Sequence, residues 1–233
     1  MSKIKPIIKT NNKSTIFSWI LEKFPEDYQK IRYVEPFVGN GSILLNKEKS
    51  IEEIAGDSDL NIVNLWKVIK DESKVLKKRL DKVKYSEKAF NEIKISNEKE
   101  KEYSKMAAIE LCLRKMSKNE NKQIFDSIDR KKANQSWKQT VDSLELISER
   151  VSNVYFLNIK PIDIISSFNN DQTFCFCSPE NSEADLIEVC EQLRSFRGKA
   201  MFCSENSVAY RRLFTDWKCS KHKNKKHVIW YNF

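Results

Sequence analysis

The pattern of apolar and polar residues predicts short strands that alternate with helices in the first and last thirds of the chain. Short, mainly apolar segments bounded by Gly, Pro or charged residues predict strands at residues 32–37, 51–57, 154–159, 173–177, 198–203 and 228–233. Apolar residues at helical spacing predict helices at residues 14–24, 61–69, 162–168, 182–196 and 207–214, with another beginning at 43–45. Strands that alternate with helices in this way are typical of an α/β fold with a parallel sheet.

The middle of the chain has a different character. Residues 71–150 are rich in Lys and Glu, and no Gly occurs from residue 57 to residue 197. We therefore predict a helical insertion at 71–150, which divides an α/β core into a first half at 1–70 and a second half at 151–233. Trp137 lies at helical spacing from Val141 and Leu144, which indicates a core position rather than a platform for stacked bases.

Composition restricts the class of protein further. The 233 residues include 40% hydrophobic residues and 13 Phe, which is enough for a packed core. No apolar run reaches the ~18–20 residues of a membrane helix, and no signal peptide is evident, so we expect a soluble, cytoplasmic protein without membrane contact. Six Cys without a Cys-x-x-Cys pair, and two His, argue against a zinc site, a disulfide framework or a Ser-His-Asp hydrolase.

The charge balance favours a polyanionic partner. Lys and Arg total 42 against 33 acidic residues, a net charge of +9. Two basic clusters are candidate contacts for DNA phosphates, and their candidate residues are Lys115, Lys118, Lys122, Arg130, Lys131 and Lys132 in the insertion and Lys223 and Lys225 near the last strand. The alternative is a solvated Lys-rich surface, because acidic residues lie among them, and both interpretations stay open.

A glycine turn is the most specific motif in the chain. Residues 35–42 read EPFVGNGS, with Gly39 and Gly41 at alternate positions directly after a predicted strand. Glycine permits positive φ and close approach of the backbone to a ligand. Asp57 ends the next predicted strand, where a carboxylate can accept hydrogen bonds from ribose hydroxyls. A tight turn without a ligand is the alternative.

These segments resemble the DNA adenine-N6 methyltransferases of the Dam-like family. The resemblance lies in EPFVGNGSILLNK at 35–47, AGDSDLNIVNLWKVIKD at 55–71, KYSEKAFNEI at 84–93 and VIWYNF at 228–233. It implies a Rossmann-like S-adenosylmethionine-dependent methyltransferase fold with a mixed, mainly parallel sheet, and a target-recognition insert near 100–150. It also implies double-stranded DNA as a partner and S-adenosylmethionine as a cofactor, with no metal. The implied cofactor-binding residues are Lys13, Glu35, Phe37, Gly39, Gly41 and Asp57.

The catalytic tetrad of that family is altered here. The family's Asp-Pro-Pro-Tyr aligns with Ser178, Pro179, Glu180 and Asn181. In the family, the first side chain and a main-chain carbonyl accept hydrogen bonds from the adenine N6 amino group, and the aromatic ring stacks on the flipped base. Serine is an occasional first residue. Asn181 cannot supply the stacking, worth ~1–3 kcal/mol per base, and Glu180 puts a carboxylate where DNA approaches.

Three further departures accompany the altered tetrad. A helix is predicted almost directly after it in place of a lid loop, Lys160 aligns with the Asp that contacts the cofactor's adenine, and Asn11 and Asn12 replace an N-terminal Gly-Gly turn. Our leading hypothesis is therefore a catalytically inactive relative that binds DNA or serves as a regulatory subunit of an active methyltransferase or another nucleic-acid enzyme. The alternatives are an active adenine-N6 methyltransferase that uses Ser178, and a structural subunit that needs no ligand. For S-adenosylmethionine, a weakened pocket and an empty pocket kept for folding both stay open.

Overall fold

The computed structural model describes residues 4–5, 7–8, 13–96, 100–118, 122–127, 129–179, 186–224 and 226–233. The chain forms two compact units, each assembled from several segments. The first unit comprises Met1–Asn11, Gly39–Leu45 and Asp59–Ser152, and the second comprises Asn12–Val38, Asn46–Ser58 and Asn153–Phe233.

All the strands of the sheet belong to the second unit. They are β1 (Arg32–Glu35), β2 (Glu52–Gly56), β3 (Val154–Leu157), β4 (Thr173–Cys177), β5 (Lys199–Glu205), β6 (Lys218–Lys221) and β7 (His227–Tyr231). Their order is β3-β2-β1-β4-β5-β7-β6. The first five strands pair in parallel, and β7 runs antiparallel to both β5 and β6. The strand order reverses direction between β1 and β4, and ligands of open α/β sheets bind at such a point.

Helices account for the rest of the regular structure. Within the described residues the α-helices are α1 (Lys13–Leu21), α2 (Leu60–Leu80), α3 (Glu87–Ser96), α4 (Tyr103–Met116), α5 (Arg130–Asp142), α6 (Leu144–Val151), α7 (Pro161–Ser167), α8 (Ile187–Arg194) and α9 (Val208–Leu213). None of them is long and apolar enough to cross a membrane.

The core of the second unit explains why its apolar strands form a sheet. Every residue of β4 is buried, as expected for a central parallel strand covered on both faces. Cys175 and Cys177 pack with Phe202 of β5, Leu193 of α8 and Trp230 of β7 in one cluster. These thiols act as small apolar side chains.

The first unit is built around α2. Asp59 caps this helix by accepting a hydrogen bond from the backbone N–H of Asn61 at 2.9 Å, and the helix is kinked at Glu72. Its apolar face buries Leu65, Trp66 and other residues of the predicted helical pattern, and α4 and α6 pack against it. The helices α3 to α6 and the end of α2 lie within the segment 71–150, and α2 runs across its predicted start from Leu60 to Leu80.

The structure confirms the predicted α/β class, and six strands lie within one or two residues of their predicted positions. The helix predicted to begin at 43–45 is wrong. Residues 42–46 form turns, and the N–H of Leu45 donates a hydrogen bond to the carbonyl of Gly41 at 2.9 Å. The strand β6 was not predicted. Trp137 is buried, as expected, and Cys219 is exposed on β6.

Candidate functional site

The carboxyl ends of four neighbouring strands bring polar side chains to one edge of the sheet in the second unit. Glu35 ends β1, Asp57 follows β2, Asn158 follows β3 and Ser178 follows β4. The strand order reverses between β1 and β4 at this edge, which makes it the expected location of a ligand site.

Glu35 is a buried carboxylate held by a neighbouring tyrosine. Its side chain is 3% exposed, and its Oε2 accepts a hydrogen bond from the hydroxyl of Tyr33 at 2.8 Å. Burial is the larger cause and the negative charge of Glu35 the next largest, and together they raise the pKa of Tyr33 well above its usual value. Tyr33 is therefore a neutral donor over the physiological pH range and orients the carboxylate. Phe37, two residues further on, is partly buried against the core cluster.

The turn that carries Asp57 is fixed by backbone hydrogen bonds. The N–H of Asp57 donates to the carbonyl of Leu157 at 3.2 Å, and the N–H of Val38 donates to the carbonyl of Gly56 at 2.8 Å. The side-chain amide of Asn158 donates to the carbonyls of Asp57 and Ser58 at 3.1 and 3.2 Å. This arrangement holds the half-buried carboxylate of Asp57 at the strand end, where carboxylates accept hydrogen bonds from ribose hydroxyls.

Asn158 lies at this candidate edge and was not among the residues predicted from the sequence. The available signal was an amide side chain near the end of the strand predicted at 154–159. The strand order was needed to use that signal, because only the pairing of β2 with β3 places Asn158 beside the turn at Asp57.

The first half of the altered tetrad packs against β5. Ser178 is 4% exposed, and its hydroxyl donates a hydrogen bond to the carbonyl of Cys203 at 3.3 Å. Pro179 is also buried. Burial raises the pKa of the preceding Cys177 well above its usual value, so this thiol stays protonated. The predicted residues Glu180 and Asn181 lie outside the described residues.

Gly39 and Gly41 belong to the first unit, and their surroundings differ. Both have left-handed backbones, with φ of 45° at Gly39 and 68° at Gly41. A Cβ on Gly41 would lie 2.4 Å from the ring of Trp66, whereas a Cβ on Gly39 would meet nothing within 4 Å. Packing therefore requires Gly41, and the open space beside Gly39 fits the close approach of a ligand to the backbone.

The predicted DNA contacts are placed in different environments. Lys118, Lys131, Lys132 and Lys223 are exposed, and Lys115 is half-buried. Lys122 instead donates to Glu110, with Nζ to Oε2 at 2.9 Å. Glu110 is 3% exposed and also accepts a hydrogen bond from Arg114. Lys225 and the side chain of Arg130 lie outside the described part of the chain, and so does the side chain of Lys13, which was predicted to bind the cofactor.

The strand order, with its reversal between β1 and β4, defines a Rossmann-like α/β fold. The chain belongs to the D12 class N6 adenine-specific DNA methyltransferase family, whose family model matches residues 12–179. Among the described residues, no group of three or more His, Cys, Asp or Glu side chains is placed to hold a metal ion.

Several solved structures are similar to this chain. The putative methyltransferase yhhF from Escherichia coli is 9% identical, with a TM-score of 0.46, and the match covers 96% of this chain and 86% of that chain. The rRNA methyltransferase aviRa from Streptomyces viridochromogenes is 11% identical, with a TM-score of 0.42, over 99% of this chain and 86% of that chain. No curated protein sequence matches the chain.

Proposed function

We propose that this family member binds duplex DNA without methylating adenine itself, and that any methyl transfer in its complexes comes from a partner enzyme. The observation that carries this proposal is the environment of Ser178. Its side chain is 4% exposed and hydrogen-bonded to the carbonyl of Cys203, at the position where the family resemblance implies a catalytic Asp.

The chemistry of adenine methylation explains why this exchange matters. The N6 lone pair must be aimed at the methyl group, and hydrogen bonds from N6 to fixed acceptors achieve this. A hydrogen bond to a carboxylate is roughly twice as strong as one between neutral groups. Loss of one preorganised hydrogen-bonding group at a reacting centre costs about 10²–10³ in rate. The neutral, buried hydroxyl of Ser178 is therefore a poor replacement.

The proposed cofactor residues are preserved only in part. Asp57, held at the end of β2, would bind the ribose of S-adenosylmethionine. When bound, this cofactor supplies an electrophilic methyl group. Lys160 precedes α7 and is exposed. An ammonium group there cannot accept a hydrogen bond from the cofactor's adenine amino group, as the Asp implied by the resemblance would. We therefore expect weakened cofactor binding.

The test combines calorimetry with a methylation assay. The full chain is titrated with S-adenosylmethionine, with and without a short duplex, and then incubated with tritium-labelled S-adenosylmethionine and DNA of varied sequence. We expect weak or undetectable cofactor binding, no incorporation of label, and salt-dependent duplex binding. Incorporation of label into adenine would overturn the proposal, and so would the absence of duplex binding at low salt.

An active methyltransferase is the second candidate, and the polarity of Ser178 favours it. The hydroxyl of Ser178 donates its proton to the carbonyl of Cys203, and a hydroxyl oxygen that donates can also accept a hydrogen bond. This candidate predicts methyl transfer that Ser178→Ala abolishes, while the exposed control Ser152→Ala behaves as wild type. Equal label incorporation by Ser178→Ala and wild type would rule out Ser178 as the acceptor.

A further inference from the structure

The first unit contains a pocket along one side of α2, beside the start of α4. Its volume is about 360 Å³, within the range of ~300–1,000 Å³ that is usual for ligand sites. It is lined by residues of α2 from Leu60 to Glu72, which follow one another at helical spacing, and by Tyr103 of α4. The pocket therefore belongs to the first unit alone.

The side chain of Asn64 offers this pocket a hydrogen-bond acceptor. Asn64 is 6% exposed, and its Nδ2 donates to the backbone carbonyl of Tyr103 at 3.0 Å. Because a carbonyl can only accept, this bond also sets which end of the amide is the oxygen. Among the described residues none donates to Oδ1 of Asn64, and this oxygen is not fully enclosed. A ligand with an N–H group can therefore bond to it.

Two carboxylates and one ammonium group also line the pocket. Asp71 and Glu72 are exposed, and neither side chain forms an ion pair or a hydrogen bond with another described residue. Lys67 lies one helical turn before Asp71 and is exposed as well. The lining thus carries one positive and two negative charges, whereas the whole chain has a net charge of +9. This local excess of negative charge disfavours a polyanion and favours a cationic ligand.

The apolar lining combines two buried valines with two exposed large side chains. Val63 and Val68 are 1% and 4% exposed, whereas Leu60 and Tyr103 are 54% and 67% exposed. A small-molecule site usually encloses most of its ligand. Exposed apolar and aromatic side chains around a pocket are instead typical of a surface that receives another protein.

We propose that this pocket binds an arginine side chain of another protein. Arginine carries a planar guanidinium group with five N–H donors on an apolar stem. Its donors suit Oδ1 of Asn64 and the carboxylates of Asp71 and Glu72, and its plane can stack on the ring of Tyr103. Lysine lacks the planar group. The proposal goes beyond the proposed function, because it concerns a protein contact that requires neither DNA nor cofactor.

The first unit supplies a matched pair of variants. Asp71→Asn/Glu72→Gln removes both carboxylates of the pocket and nearly preserves their size. Asp81→Asn/Glu87→Gln removes the same two kinds of charge at positions that are exposed and do not line the pocket. Tyr103→Ala removes the exposed ring, whereas Tyr103→Phe keeps it.

The first measurement titrates the full, isotope-labelled chain with N-acetyl-arginine amide and follows its backbone amide resonances by NMR. N-acetyl-citrulline amide has nearly the same shape without the charge and is the control probe. We expect saturable shifts at residues 60–72 with a millimolar Kd, and a Kd roughly fivefold higher for the citrulline probe. Equal Kd values for the two probes, or no shift at residues 60–72, would overturn the proposal.

The variants locate the binding. Asp71→Asn/Glu72→Gln should raise the Kd of N-acetyl-arginine amide roughly fivefold, and Asp81→Asn/Glu87→Gln should leave it unchanged. Tyr103→Ala should also weaken binding, while Tyr103→Phe should bind as wild type does. The same Kd in wild type and in the Asp71/Glu72 double variant would show that the carboxylates do not hold the guanidinium, and would overturn the assignment.

Two further arms test the source of the arginine. Free L-arginine keeps an α-carboxylate that Lys67 could bind, so markedly tighter binding of free than of capped arginine would assign the pocket to an amino acid and overturn the protein partner. Self-association in sedimentation equilibrium that Asp71→Asn/Glu72→Gln abolishes would assign it to a second copy of this chain and overturn a different partner. We expect neither result. None of these measurements uses DNA, so failure to bind duplex would overturn the proposed function alone.

Discussion

The indole nitrogen of Trp66 donates a hydrogen bond to the carbonyl oxygen of Gly39 at 3.0 Å. The same ring occupies the space where a Cβ on Gly41 would lie, at 2.4 Å. One side chain of α2 thus contacts both glycines of the turn, one through its polar group and the other through its apolar edge. The glycine turn therefore depends on α2 for its shape, in addition to any contact with a ligand.

We expect Gly41→Ala to destabilise the fold more than Gly39→Ala. Both substitutions place a Cβ on a left-handed backbone, which costs about 1–2 kcal/mol. Only Gly41→Ala also meets the ring of Trp66, and such overpacking costs about 1–3 kcal/mol more. Urea unfolding of both variants measures the difference. Equal losses in the free energy of unfolding would contradict the role assigned to Trp66.

Lys47 and Glu53 form a buried ion pair in the second unit, and we expect either single substitution to be severe. Their side chains are 0% and 4% exposed, and Nζ of Lys47 lies 4.0 Å from the ring centroid of Tyr33. Lys47→Met leaves the carboxylate of Glu53 buried without its cation, which costs about 3–5 kcal/mol. Chemical denaturation gives this loss directly.

Two further variants make the ion-pair prediction specific. The double substitution Lys47→Met/Glu53→Met removes both charges and should recover most of the stability, because paired apolar replacements are often neutral. Arg197→Met breaks the exposed pair with Asp171, whose side chains are 67% and 66% exposed, and should cost less than about 1 kcal/mol. A double variant as unstable as the single one would refute the interpretation.

Lys122 provides a test of backbone strain in the first unit. It has a positive φ of 58° and pairs with the buried Glu110. Lys122→Ala and Lys122→Gly both remove the ion pair. Only glycine relieves the strain of a left-handed backbone, which is worth about 1–2 kcal/mol. We therefore expect the glycine variant to unfold at a higher urea concentration than the alanine variant. The reverse order would show that the backbone at this position is unstrained.

The cysteines should divide sharply in reactivity. Cys219 is exposed, and the other five thiols are buried. Ellman's reagent at pH 8 should label one thiol quickly in the folded protein, and Cys219→Ser should remove that phase. Labelling of all six thiols in the absence of denaturant would contradict the burial.

Alkaline pH should destabilise the fold through the same buried thiols. Burial raises the pKa of Cys112 and Cys190 from 9.0 to about 12. Above pH 9 the unfolded chain loses these protons, whereas the folded protein keeps them. The free energy of unfolding should therefore fall between pH 9 and 12. Below pH 9 these two thiols should have no effect on it. Urea unfolding between pH 9 and 12 should show that the free energy of unfolding falls less with pH in Cys112→Ala than in wild type.

The sequence by itself determined the α/β class and most of the strands. Buried strands such as Thr173–Cys177 are marked by apolar residues and their borders, and these signals are local. The strand Lys218–Lys221 was missed because it lies at the sheet edge and has exposed, polar side chains, so its pairing with β7 leaves no apolar pattern. The helix predicted to begin at 43–45 was wrong because Ile43, Leu44 and Leu45 are buried in turns as fully as they would be in a helix, so their apolar character does not distinguish the two.

Only the tertiary structure decided which distant groups meet. The glycine turn and Asp57 were predicted from the sequence because they follow predicted strands, and the altered tetrad was predicted from the family resemblance. The contact of Ser178 with Cys203, and that of Asn158 with the turn at Asp57, depend on strand order and register. Strand order is set by packing between segments far apart in the chain, and no local pattern of residues encodes it.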